Sequence, residues 1–159
     1  MNKIELKNRQ LQHVKEFYNH SKDTQLQKLF PFQDITLEQT IEQYYDSLQP
    51  NATSFGKTIY VNNSYIGDVW CYSINEVEKN CFLSIVIFDR AFWGKGIGSE
   101  VLVDFIKQLK QKYNLNKLCA FTYKANLASS KMLSRVGFNC IEEFEEDGIK
   151  SLYFEYQYH

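Results

Sequence analysis

The stretch FDRAFWGKGIGSEV, Phe88 to Val101, sets three of the chain's seven glycines at alternate positions, Gly94, Gly96 and Gly98. A plain turn needs one or two. Upstream, NCFLSIVIF is a continuous apolar run rich in β-branched and aromatic residues, the pattern of a strand covered on both faces. Downstream, Val101, Leu102, Phe105, Ile106 and Leu109 recur at helical spacing. Glu100 and Asp104 fall in the early turns of that helix and Lys107, Lys110 and Lys112 towards its end, which suits the helix dipole. A strand that runs through glycines into a helix is a generic anion site. First-turn amides lack partners, the dipole favours negative charge, and missing β-carbons let a phosphate approach the backbone. Spacing alone is equally compatible with a structural turn. Two phosphate motifs are excluded: Lys95 lies between glycines, unlike the lysine of a nucleoside-triphosphate loop, and Ser99 stands where a dinucleotide fingerprint needs its last glycine.

Working outward, IELKN reads as a first strand, followed by a helix in LQHVKEFYNHSK with Leu11, Val14, Phe17 and Tyr18 on one face. His13 and His20 are expected on its surface. FPFQD breaks the pattern, and TLEQTIEQYYDSL is a second helix with Thr36 as N-cap. KTIYVNNSYIGDVWCYSI predicts a hairpin through NNS. After the glycine-led helix come a strand, KLCAFTY, and a helix, NLASSKMLSRVGF, capped by Asn126 and ended by Gly137. FNCIEEF and SLYFEYQYH pair across Asp147-Gly148. The order β-α-α-β-β-β-α-β-α-β-β predicts a mixed sheet with helices on its faces.

A length of 159 residues predicts a single domain over 1–159. Hydrophobic content of 44% and aromatic content of 16% exclude a disordered chain. A net charge of -1 gives no global field for nucleic acid or an anionic membrane, so neither is expected as a partner. MNKIELKNRQ lacks the apolar core of a signal peptide, and no run approaches a membrane span. Cys71, Cys81, Cys119 and Cys140 stand far apart without a C-x-x-C pair, which predicts buried free thiols in a reducing cytoplasm rather than zinc or disulfides.

WGKGIGSEVLVDFI after an apolar strand resembles the acetyl-coenzyme A signature of the GNAT acyltransferase superfamily, Q/R-x-x-G-x-G/A. Gly96 and Gly98 take its small-residue positions, and Trp93 takes the Gln/Arg position. W-G-K-G is similar to the branch that acetylates N-terminal amines of ribosomal proteins, the RimJ/RimL type. A second block agrees: NLASSKMLSRVGF resembles that branch's N-x-x-S-x-x-x-L-x-x-x-G-F through Asn126, Ser129, Leu133, Gly137 and Phe138. The resemblance covers Ile66 to Phe138. It implies an α/β (α+β mixed) fold, with a mostly antiparallel mixed sheet of about six or seven strands and about four flanking helices, in which the fourth and fifth strands splay apart.

The resemblance also implies roles. Acetyl-CoA is the co-substrate and no metal takes part. Amides of Gly94, Gly96, Ile97, Gly98 and Ser99 would cradle the pyrophosphate, with Lys95 either beside it or solvated. Pantetheine would pair with main-chain groups of Ile87 and Phe88, with Ile85 nearby, as an added strand. An amide there can hold the tetrahedral oxyanion. Asn126 would meet pantetheine or merely cap its helix, and Lys131 would meet the 3′-phosphate or lie in solvent. Many members use a tyrosine as general acid where this chain has Leu133, so the thiolate falls to Ser129, with Ser130 adjacent. No carboxylate stands on the fourth strand. Asp68 is the best carboxylate for a general base, with water relayed from bulk as the alternative. Phe30, Phe32, Tyr44, Tyr45, Trp70 and Tyr72 suit either an acceptor pocket or the core. The acidic run Glu142, Glu143, Glu145, Glu146 and Asp147 suits a cationic acceptor or a solvated hairpin.

The sequence therefore predicts a cytoplasmic N-acetyltransferase, monomeric or homodimeric, that moves an acetyl group directly to a primary amine of a peptide or small molecule. A non-catalytic acyl-CoA sensing module is the alternative from a different class. A nucleotide-binding domain of unrelated chemistry is a third.

Overall fold

In the computed structural model, which describes residues 2–159, every predicted element forms. The chain runs β1 (Ile4–Asn8), α1 (Leu11–His20), α2 (Thr24–Gln27), α3 (Leu37–Ser47), β2 (Phe55–Val61), β3 (Ser64–Asn75), β4 (Asn80–Ile87), α4 (Ile97–Lys112), β5 (Lys117–Tyr123), α5 (Leu127–Val136), β6 (Asn139–Glu146) and β7 (Ile149–Gln157). The single turn of α2 is the addition to the expected order. Four residues are too short for periodicity to register; its local signal is Asp23, whose Oδ1 accepts from the amides of Gln25 and Leu26. Thr36 caps α3 with the reciprocal capping box, Gln39 bonding back to the Thr36 amide. Both tight hairpins use left-handed pairs, Asn62-Asn63 and Asp147-Gly148, as two-residue turns require.

The sheet order is β1-β2-β3-β4-β5-β7-β6, antiparallel throughout except between β4 and β5. That exception positions the site. The two strands pair only where Asn80–Phe82 meet Lys117–Cys119. Beyond, β4 stays with β3 through Ile87, while β5 stays with β7 through Tyr123. A wedge therefore opens between β4 and β5 towards their C-terminal ends. This is the splay that the resemblance implies.

Under α4 lies the main core, where Val101, Leu102, Phe105, Ile106 and Leu109 pack on Ile59, Val69, Leu83, Leu118 and Phe154. Opposite, β4 is only partly covered. Phe82 and Ser84 are half-buried, and full cover comes at Val86 and Phe88 near α1. His13, expected on the surface, is 5% exposed: its Nε2 bonds the Tyr60 hydroxyl at 2.6 Å, and its Nδ1 accepts from the Gln10 amide. His20 is half-buried and stacks on Phe88 at 3.7 Å. All four cysteines are free; Cys71, Cys81 and Cys119 are buried, but Cys140 is exposed on edge strand β6, contrary to expectation. Among the described residues no helix is long and apolar enough to cross a membrane.

Candidate active site

Between Ile87 and α4 the chain makes one 3-10 turn, Arg90–Phe92, capped by the Asp89 carboxylate on the Ala91 amide. Gly94 and Gly96 follow with φ of 73° and 77°, a left-handed conformation that side-chain-bearing residues adopt only under strain. Gly96 is the N-cap of α4, and no side chain caps it. The first-turn amides of Ile97, Gly98 and Ser99 therefore have no partner within the helix. Gly98 is small for another reason: a Cβ there would lie 2.5 Å from Met132 Sδ on α5. The alternate glycines thus do two jobs, left-handed turning at the first two and room for the Met132 side chain at the third.

Trp93, in the signature's polar position, donates its indole Nε1–H to the Ile87 carbonyl at 2.8 Å. Lys95 does not line the cleft; its ammonium lies 5.8 Å from the ring of Phe92, which does. At the other wall, Asn126 caps α5 through the Ser129 amide and donates to the Leu29 carbonyl, ninety-seven positions away in sequence. Its side chain is committed to that bridge.

Together these residues enclose a cleft of about 500 Å³ between the splayed strands and the N-termini of α4 and α5. Ile85 and Ile87 form its β4 side; Gly94, Gly96, Ile97, Gly98 and Ser99 form the loop side; Asn126, Ser129 and Lys131 form the α5 side. No lining residue is acidic. An elongated ligand with an anionic end fits this donor set. The wedge exposes a strand edge, glycine-led amides lie at one end, and Lys131 with Arg135 supply positive charge.

Arg135, Leu29 and Phe30 also line the cleft and were not expected as cofactor residues. Arg135 had a readable signal, its spacing of four from Lys131 on one helix face. Leu29 and Phe30 had none, because a long-range bond brings them there. Of the other aromatics, Phe32 and Trp70 pack edge-on to Phe17, Tyr44 on Tyr45, and Tyr72 on Phe82.

Two expectations are corrected. The Phe88 amide is not free, since it donates to the Ile66 carbonyl at 2.9 Å. Strand alternation then turns the amides of Ile87 and Ile85 towards the wedge. Asp68 does not line the cleft. It lies in the middle of β3, 3% exposed, with Arg9 Nη2 at 3.3 Å from Oδ2 and the Tyr65 hydroxyl donating to Oδ1 at 2.6 Å. Burial pushes its carboxyl above the usual range, while Arg9 and Tyr65 oppose the shift. With both oxygens occupied, it is poorly placed to take a proton from an acceptor amine. Leu133 is buried at 3% exposure and carries no proton. Two hydroxyl side chains line the cleft, Ser129 on the α5 wall and Ser99 in the first turn of α4.

No curated protein matches the chain. Solved structures do. A domain from Methanocaldococcus jannaschii superposes with a TM-score of 0.81 at 19% identity, covering 99% of this chain and 100% of that one. RimL, a ribosomal L7/L12 α-N-protein acetyltransferase in complex with coenzyme A, gives 0.80 at 18%, covering 97% and 93%. A spermidine N-acetyltransferase chimera from Vibrio cholerae SpeG and hSSAT gives 0.79 at 14%, covering 97% and 95%. The family profile described as Acetyltransferase (GNAT) domain matches residues 3–139. With that match spanning most of its length, the chain belongs to the GNAT family of acetyl-CoA-dependent N-acetyltransferases.

Proposed function

We propose that this chain holds acetyl-CoA in the wedge between β4 and β5 and passes the acetyl group directly to a primary amine of a peptide or small molecule. One observation carries the reading: β4 and β5 part after Phe82 and Cys119, and the wedge ends on partnerless first-turn amides of α4. In this reading the pyrophosphate sits on Gly94, Gly96, Ile97, Gly98 and Ser99, and Lys131 and Arg135 meet the remaining phosphate. Pantetheine bonds the free edge at Ile85, and the amide of Ile87, whose carbonyl Trp93 holds, stabilises the oxyanion formed as the amine attacks the thioester carbon. Ser129 stabilises the departing thiolate. Water relayed from bulk takes the amine proton, because the cleft lining has no carboxylate. Four free cysteines support a reducing, cytoplasmic setting.

The buried leucine at position 133 favours a second reading, an acyl-CoA sensor without turnover. Calorimetry with acetyl-CoA, then thiol release with peptide, polyamine and aminoglycoside amines, separates the two. Binding with turnover of any amine supports transfer. Binding without turnover leaves the sensor, and absence of binding overturns both.

A further inference from the structure

On the far side of the cleft wall lies a second hollow, of about 660 Å³, between α2 and the ends of β5 and β7. Ala125 lines both spaces, and the neighbours Lys28 and Leu29 face one each. Tyr123 and Ile149 also line it. By strand alternation they share the sheet face of Phe121 and Tyr153, opposite α4. The hollow therefore approaches the wedge from the sheet face opposite α4 and its glycine loop, where an acceptor would enter if the proposed function holds.

The charge of its rim is one-sided. Lys28, Lys124 and Lys150 line it, with Thr24 and Gln27 as neutral polar groups, and no lining residue is acidic. The acidic hairpin nearby compensates only in part. Glu143 pairs with Lys124 at 2.6 Å, and Glu145 stands opposite Lys150 in register. Among the described residues neither Lys28 nor Lys150 has a carboxylate within ion-pair distance. Asp23, just before α2, is engaged with Arg90. A polycation would meet like charges here, whereas a carboxylate or phosphate would gain Lys28 and Lys150 as partners, with Lys124 already held by Glu143.

We infer that the hollow bounded by Lys28, Lys124 and Lys150 selects acceptors that carry an anionic group, a carboxylate or phosphate, close to the reacting amine, and disfavours polyamines. This rests on the acetyltransferase reading of the adjoining cleft. The lysines act as specificity residues and take no part in the chemical step.

The test compares the wild type with the double variant Lys28→Glu, Lys150→Glu. Four acceptors are supplied in the thiol-release assay: a peptide beginning Ser-Asp-Asp, its Ser-Lys-Lys counterpart, phosphoethanolamine and spermidine. The wild type is expected to favour an anionic acceptor about tenfold or more in kcat/KM, with the preference eroded by salt. The double variant is expected to lose that preference through KM, with acetyl-CoA affinity unchanged. Preference for the acidic peptide points to a protein terminus and preference for phosphoethanolamine to a small molecule; either supports the charge assignment. Equal use of the four, preference for spermidine or the lysine peptide, or a preference the variant retains would overturn it. Anisotropy of the labelled, N-acetylated acidic peptide reads the hollow without turnover. Binding lost in the variant supports the assignment; no binding, or equal binding, refutes it. Calorimetry of acetyl-CoA reports separately on the cleft, so the two readings fail independently.

Discussion

The indole of Trp93 and the carbonyl of Ile87 are joined at 2.8 Å, so the residue in the signature's polar position fastens the glycine loop to the end of β4. That bond fixes the loop relative to the exposed strand edge. Trp93→Phe keeps a ring and removes the donor. Acetyl-CoA affinity is expected to weaken about five-fold, the value of one ordinary hydrogen bond of about 1 kcal/mol, with little change in Tm. Calorimetry of both proteins checks this, and unaltered affinity would remove the bond from the account.

Gly96 and Gly98 should fail in different ways. Gly96 is left-handed with open space around its absent Cβ, so Gly96→Val strains the turn by about 1–2 kcal/mol and puts a side chain into the cleft. A folded protein without measurable acetyl-CoA binding is expected. Gly98→Val instead meets Met132 and should lose about 1–3 kcal/mol of stability, part of which Met132→Ala restores. Thermal denaturation of the single and double variants distinguishes clash from cradle.

Ser129 and Asp68 offer a paired test of catalysis. Ser129→Ala should lower kcat while leaving acetyl-CoA affinity near wild type; an unchanged kcat would exclude it from handling the thiolate. Asp68→Asn should cost about 2 kcal/mol through the lost charge opposite Arg9. The kcat of that variant and its pH profile should stay as in wild type. A lost acid-side limb in that profile, where a protonated base stops working, would restore Asp68 as the base.

His13 gives a pH signature. Burial, with help from Arg9 and Lys7 against Glu16, lowers its pKa below the usual 6.5. Its Nδ1 accepts from the Gln10 amide, so the neutral ring donates through Nε2 to Tyr60, and a second proton would break the Gln10 contact. As pH falls below about 6.5, the unfolded chain takes the proton first. Stability present above that pH is therefore lost towards the lower folded value. Tm scanned from pH 8 to 5 should fall with acid, and His13→Gln should flatten the slope.

The sequence by itself determined the parts whose physics is local. Apolar patterning and turn residues placed every strand, caps placed α3 and α5, helical periodicity placed α1 and α4, and the alternate glycines located the anion cradle, because its donors belong to one short segment. What only the tertiary structure decided depends on segments far apart in the chain. Which β4 amides are free follows from pairing with β3, and this removed Phe88 from the expected contact and left Ile87 with Ile85. Asp68 read as the candidate base and His13 as a surface helix residue. Burial with Arg9 and Tyr65 around the first and Tyr60 beside the second came only from the packing of α1 on the sheet. Leu29 reaches the cleft through a bond to Asn126, and Lys28, Lys124 and Lys150 share a rim that no sequence pattern joins. Periodicity reports the environment of a residue within its own element. It carries nothing about which other element arrives beside it, and both charge and proton affinity are set by that arrival.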